Sequence, residues 1–221
     1  MKLRLAGGLL LMVPLLSCSS ATQRSQSLLD ANDASAWRGY RKTELPVGWQ
    51  VIDGALTRVG AGGDIITKEQ YENFELELEW KIARGGNSGV FFHVVEDSTL
   101  GAVYLTGPEM QVLDNLGHPD GRNPLTSAAS NFALHAPARD ATKPVGQWNR
   151  ARLVVNGSRV EHWLNGELMV RYDLWTEQWK QQVRESKFRD MPRYGLARSG
   201  HIALQDHGDW VAFRNIRIRR L

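Results

Sequence analysis

The chain has 221 residues, 42% of them hydrophobic, with 27 Lys and Arg against 24 Asp and Glu. That length can bury one sizeable core, and a formal charge of +3 is too small to be the footprint of a nucleic-acid binder. The single cysteine excludes an intrachain disulfide, so stability in an oxidising compartment has to come from packing.

At the N-terminus, Lys2 and Arg4 precede an apolar run from Leu5 to Leu16 broken only by Gly7, Gly8 and Pro14. The run is shorter than the ~20 residues of a bilayer span, and a charged start before a short apolar stretch is the layout of a secretory signal. It ends in Leu15-Leu16-Ser17-Cys18, which resembles the bacterial lipobox. Residues 1–17 are therefore expected to be removed as a signal peptide and Cys18 to be lipidated. Removal of Lys2 and Arg4 brings the formal charge to +1. Residues 18–27, rich in Ser and Gln, read as a polar tether, and residues 28–221 as one domain. The expected location is the periplasmic or cell-surface face of a bacterial membrane, held through the lipid only.

Beyond the tether the apolar period is two. In Phe74-Glu75-Leu76-Glu77-Leu78-Glu79-Trp80-Lys81-Ile82, five apolar residues alternate with four charged ones, which predicts a strand with one buried face. Further strands are expected at 89–95 and 109–113. The stretch 117–146, with four prolines and no period, reads as a long functional loop. Asn156-Gly157 and Asn165-Gly166 supply hairpin turns, as Asp53-Gly54 does earlier, so 148–155, 159–164 and 167–172 read as a meander. One helix is expected at 176–187, with Trp175, Trp179 and Val183 four apart. Strands at 201–205 and 210–219 close the chain, the arginines at 214–220 forming a solvated face. Many short antiparallel strands and one helix define an all-β sandwich or barrel.

Several clusters carry groups suited to chemistry. Glu109 and Gln111 share one face of a strand, and Asp114 joins them only if a bulge near Leu113 intervenes. The pattern resembles the carboxylate strand of lectin-like jelly-roll glycosidases, with Gln111 and Asp114 departing from it; a plain polar strand edge is the other reading. His118, Asp120 and Arg122 follow on the next loop, where imidazole exchanges protons near neutrality and guanidinium holds oxyanions or sugar hydroxyls. In His201-Ile202-Ala203-Leu204-Gln205-Asp206-His207, the closing Asp-His pair suits acid/base work, a divalent metal or simple turn chemistry. Asn87, in a Gly-rich approach to a strand, is placed to hydrogen-bond a ligand, and eight tryptophans offer faces for sugar rings. There is no Gly-x-Ser-x-Gly elbow and no cysteine nucleophile in the domain.

Taken in order, Trp37-Arg38-Gly39, Gly48-Trp49, Gly86-Asn87-Ser88-Gly89-Val90, Glu109 to Asn115, His118-Pro119-Asp120-Gly121, His162 to Gly166, Ser186-Lys187-Phe188 and Gly200 to Gly208 resemble the 3-keto-disaccharide hydrolase family, also described as 3-keto-glucoside 1,2-lyase/hydratase domains. The resemblance runs from Trp37 to Leu221 and departs locally at Phe132, where a tyrosine is expected. It implies a concanavalin A-like jelly roll that acts on glycosides oxidised at C3. A ketone there acidifies the C2 proton, so a base, an acid and a cation suffice for elimination of the C1 substituent. Glu109, His118, His207, Asp206 and Lys187 are the expected catalytic groups. Asn87, Gln111, Asp114, Arg122, Gln205 and His201 are the expected substrate contacts. The partner is a carbohydrate, and a divalent metal is the one cofactor the Asp-His pair would admit. The alternative reading is a surface-tethered carbohydrate-binding module with the same fold and no turnover.

Overall fold

A computed structural model describes residues 24–221. The signal peptide, Cys18 and the first part of the tether lie outside the described residues. Five short strands open the fold: β1 (Gln26–Ser27), β2 (Trp37–Gly39), β3 (Trp49–Ile52), β4 (Ala55–Arg58) and β5 (Ile65–Thr67). The Asp53-Gly54 turn signals the β3–β4 hairpin, whereas β1, β2 and β5, of two or three residues, are too short to show a period. The last two residues assigned to the tether, Gln26 and Ser27, pair with Ile218 and Arg217.

The longer strands fall close to their expected bounds: β6 (Phe74–Ile82), β7 (Asn87–Val94), β8 (Glu109–Leu113), β9 (Asn149–Asn156), β10 (Arg159–Leu164) and β11 (Glu167–Asp173). The helix α1 (Glu177–Glu185), β12 (His201–Leu204) and β13 (Val211–Arg220) complete the chain. All pairings are antiparallel. An eight-stranded sheet runs β11-β10-β9-β6-β13-β4-β3 with β1 on β13, and a five-stranded sheet runs β2-β5-β12-β7-β8. Two antiparallel sheets packed face to face with one helix form the jelly-roll sandwich.

Strand β6 shows why the large sheet lies where it does. Its apolar residues are all buried and its charged ones all half-exposed, the alternation a one-sided sheet requires. On the outer face Arg214 and Arg219 of β13 pair with Glu79 at 2.7 Å and Glu75 at 3.4 Å, and Arg150 of β9 pairs with Glu77 at 2.9 Å, so the β6 glutamates are matched by arginines on both neighbouring strands. The core between the sheets holds Trp37, Trp49, Trp80, Phe74, Phe92 and Phe213. Trp148 and Trp163 instead lie on the outer face under Arg214 and Arg152.

Helix α1 begins where Thr176 accepts the Trp179 N–H at 3.1 Å, an N-cap that satisfies an otherwise orphan donor. Buried Trp179 lies near-parallel to Tyr172 and Tyr194, and Phe188 stacks on Tyr194 with ring centroids 3.8 Å apart. That stack ties the segment after the helix, which carries Lys187 and Phe188, to the helix and, through Tyr172, to β11 of the large sheet. Among the described residues no helix is long and apolar enough to cross a membrane.

Candidate active site

The small sheet has two faces. Ile65, Val90, Met110, Val112 and Leu204 point into the core, so the alternate positions point outward. On the outer face Tyr40, Ile66, Phe91, Val94, Val103 and Ala203 form a separate apolar cluster. Beside that cluster a cavity of ≈ 240 Å³ is lined by Asn87, Glu109, Gln111 and Gln205 from the sheet and its strand ends, with Tyr104, Asp120, Phe132, Lys187, Phe188 and His207 around them. Strand pairing brings these groups together: β7 and β8 match Gly89 with Gln111 and Phe91 with Glu109, and Gln205 N–H donates to Gly89 O at 3.0 Å.

Glu109 is 7% exposed, and no described residue donates a hydrogen bond to its carboxyl. Burial pushes its pKa up to about 8; the Lys187 charge opposes the rise, and the carboxylates of Asp64 and Asp120 add to it. Space for this carboxyl exists because residue 89 is glycine. A Cβ there would collide with Glu109 Oε1 and stand 2.9 Å from its Cδ. The neighbouring amides are poised for a ligand: Gln111 Nε2 donates to Thr126 O at 3.2 Å, whereas Gln111 Oε1 and Gln205 Oε1 are buried without a partner. Lys187 Nζ sits 4.6 Å above the Phe132 ring, and Phe132 N–H donates to Glu109 O at 3.1 Å. The phenylalanine at 132 thus supplies an apolar wall where a tyrosine was expected.

The loop after β8 folds into two short 3₁₀ turns, Pro119–Arg122 and Pro124–Thr126. His118 Nδ1 accepts the Asp120 N–H at 3.1 Å, which requires a lone pair on that nitrogen. The 3.8 Å approach of the Asp120 carboxylate to the same atom is therefore no strong ion pair. The His118 and His207 rings meet edge to face at 6.3 Å, placing both imidazoles near the cavity rim.

Of the residues expected at the site, Asn87, Glu109, Gln111, Lys187, Gln205 and His207 line the cavity, and His118 adjoins it through His207. Four do not converge there. β8 pairs with β7 from Phe91↔Glu109 to Asn87↔Leu113 without the bulge considered at Leu113, so Asp114 stays on the opposite face. Its carboxylate accepts the Gly85 N–H at 2.7 Å and the Leu116 N–H at 3.2 Å. Asp206, one residue out of phase with Gln205 and His207, points to the large sheet. There it binds Arg58 at 2.6 Å and the N–H groups of Gly62 and Gly63, both at 2.9 Å. His201 lies past the apolar cluster, bonded to Thr67 O at 2.7 Å and to Gln70 at 3.2 Å. Arg122 is exposed on its 3₁₀ turn and lines no part of the cavity.

Tyr104, Asp120, Phe132 and Phe188 were not expected to line the site. Asp120, Phe132 and Phe188 stood in motifs the sequence singled out, but Tyr104 belongs to an aperiodic 3₁₀ turn and left no signal. Among the described residues no group of three or more His, Cys, Asp or Glu is placed to hold a metal ion, and Asp206 is spent on Arg58 and backbone. A wider hollow lies beside Arg38, Lys42, Lys68 and Glu96, but Arg38 is already bonded to both Glu96 oxygens, at 2.7 and 2.9 Å.

The jelly-roll sandwich thus gathers a buried carboxyl, two amide oxygens without partners, an ammonium and an imidazole around one cavity. The chain belongs to the family of 3-keto-alpha-glucoside-1,2-lyase-like domains, whose model matches residues 24–219. It is 36% identical over 226 residues to a 3-keto-disaccharide hydrolase of Bacteroides thetaiotaomicron, covering 88% of this chain and 78% of the relative. A crystal structure from Parabacteroides distasonis, solved under the name of a glycosyl hydrolase, superposes with a TM-score of 0.83 at 32% identity, covering 89% of this chain and 94% of that one. A Bacillus subtilis protein with a galectin-like fold matches at TM-score 0.55 and 14% identity over 89% of this chain and 94% of its own, a likeness of fold alone.

Proposed function

We propose that this protein cleaves glycosides carrying a ketone at C3, by elimination across C1–C2 and hydration of the resulting enone. Support comes from the family description, from the name of the Bacteroides relative and from the chemistry of the cavity. The observation that carries the reading is a buried carboxyl, Glu109, at the wall of a cavity sized for a sugar ring, where burial pushes its pKa up to about 8.

In this reading the amides of Asn87, Gln111 and Gln205 orient the ring hydroxyls. His207 takes the C2 proton, the electron pair of that C–H bond passes into the enolate, and the Lys187 ammonium stabilises the developing charge. The enolate then forms the C1=C2 double bond as the C1–O bond breaks, and the departing oxygen takes the Glu109 proton. Water adds its oxygen to C1 and gives a proton to Glu109, while His207 returns a proton to C2. The sum is hydrolysis without a covalent glycosyl intermediate.

Turnover of a 3-keto-glucoside in D₂O tests the route. Elimination and hydration place deuterium at C2 of the released sugar, above the level of a product-only control. Release without deuterium indicates direct hydrolysis, and binding without release indicates a carbohydrate-binding module. We further propose that Cys18 carries the lipid anchor, on the strength of the lipobox-like residues before it. Cys18→Ser is expected to move the protein from the membrane to the soluble fraction, and unchanged membrane retention would count against the anchor.

A further inference from the structure

One more carboxyl faces this site than its walls contain. Asp64 immediately precedes β5, one step beyond the Leu204↔Ile65 pair, and so stands opposite Gln205. Gln205 bonds to Gly89, and Gly89 pairs with Gln111. The positions Gln111, Gly89, Gln205 and Asp64 therefore form one row across four strands on the outer face of the small sheet. The Glu109 carboxyl leans over the gap at Gly89. With strands about 4.8 Å apart, it lies about 10 Å from Asp64, separated along the row only by neutral Gln205. Asp64 is half-buried, and its Oδ1 accepts the Asp206 N–H at 3.0 Å. The nearby guanidinium of Arg58 is taken by Asp206.

We propose that Asp64 is a positioning residue of this site: its carboxylate, fixed at the end of this row, is the sheet-held negative charge that faces the Glu109 carboxyl, beside that of Asp120 on the loop. The inference deepens the proposed reaction, in which Glu109 is the acid. Burial raises Asp64 to about 6, which leaves it ionised at pH 7 while Glu109 is still protonated. The other titratable groups around Glu109 are Lys187 after α1, Asp120 on the first 3₁₀ turn, Tyr104 at the cavity wall, His118 and His207 at the rim, and the buried Tyr194 hydroxyl, which burial and then the Glu109 charge push up. Asp120 sits on a loop, whereas Asp64 is held by the sheet itself and by the Asp206 N–H.

The test is a pH titration of the substrate-free protein by carboxyl-carbon NMR, with the Glu109 signal identified by its loss in Glu109→Gln. Asp64→Asn keeps an acceptor for the Asp206 N–H but removes the charge. At an effective dielectric constant of about 20 and about 10 Å, that charge is worth about one pH unit, so the Glu109 midpoint is expected to fall by that amount. The coupling is reciprocal, so the wild-type Asp64 signal should show a second inflection at the Glu109 midpoint. An unmoved Glu109 midpoint in folded Asp64→Asn overturns the inference. So does a wild-type Asp64 curve without that inflection, a reading that holds even where the variant does not fold. Turnover of a 3-keto-glucoside is measured separately: coupling without turnover sinks the proposed reaction and leaves this inference, and turnover without coupling does the reverse.

Discussion

In the proposed reaction Glu109 carries the proton, and Gly89 makes room for its carboxyl. Glu109→Gln keeps the shape and hydrogen-bonding reach of the side chain but cannot donate an acid proton. Turnover of a 3-keto-glycoside should fall by roughly 10²–10⁴-fold while binding of a non-reactive analogue changes little; weaker binding at normal turnover would make Glu109 a mere sugar contact. Gly89→Ala tests the same carboxyl without touching it. The added methyl would meet Glu109 and also Phe91 Cε2 at 2.9 Å, in a stretch paired to β8 without a register shift. Lost turnover with an unchanged circular dichroism spectrum is expected, and full activity would show that the carboxyl can lie elsewhere.

At the scale of elements, the exit of β12 divides its work by alternation. Gln205 and His207 turn toward the cavity, and Asp206 between them turns toward β4 and the loop at Gly62 and Gly63. Burial alone would raise the Asp206 pKa, but the N–H groups of Gly62 and Gly63 and the Arg58 guanidinium hold it below the ordinary carboxylate range. Its contribution to stability is therefore present above about pH 4 and is lost as pH falls through the depressed value. Asp206→Asn should lower the melting temperature while turnover per folded molecule is kept, and His207→Ala should do the opposite. A turnover defect in Asp206→Asn at full stability would return that carboxylate to the chemistry.

At the scale of the whole molecule, the buried titrating groups set the pH range in which the fold is strongest. Burial lowers the pKa of His93, His135, His162 and His201, that of His162 to about 4. The unfolded chain takes up those protons below about pH 6.5 and the folded chain only at lower pH, so stability falls as pH drops through that window. Glu109 and Asp64 are raised, to about 8 and about 6, so the folded chain holds protons that the unfolded chain releases from about pH 4 upward. Between pH 6.5 and 8 only this second effect operates, and stability should decline there. Calorimetry across pH 4–9 is expected to show a maximum near pH 6.5, with the decline toward pH 8 much reduced in Glu109→Gln. A wild-type profile flat between pH 6.5 and 8 would contradict the burial of a proton-bearing Glu109.

The sandwich itself was legible in the sequence because strands β6 and β8 to β13 are long enough to show a period of two and are joined by turns with recognisable Gly and Asn chemistry. The same alternation put Glu109 and Gln111 on one face and admitted Asp114 only through a bulge, which the unbroken β7–β8 pairing rules out. By itself, then, the sequence determined the local periods, the family resemblance and most of the polar groups that line the cavity. Only the tertiary structure decided which of them meet. Register between strands distant in sequence lays Glu109 over Gly89 and sets Asp64 in the same row. It also sends Asp206 to Arg58, and the apolar cluster around Phe91 and Ala203 cuts His201 off from the cavity. Burial depth and strand register depend on residues far apart in the chain, and a one-dimensional pattern carries neither.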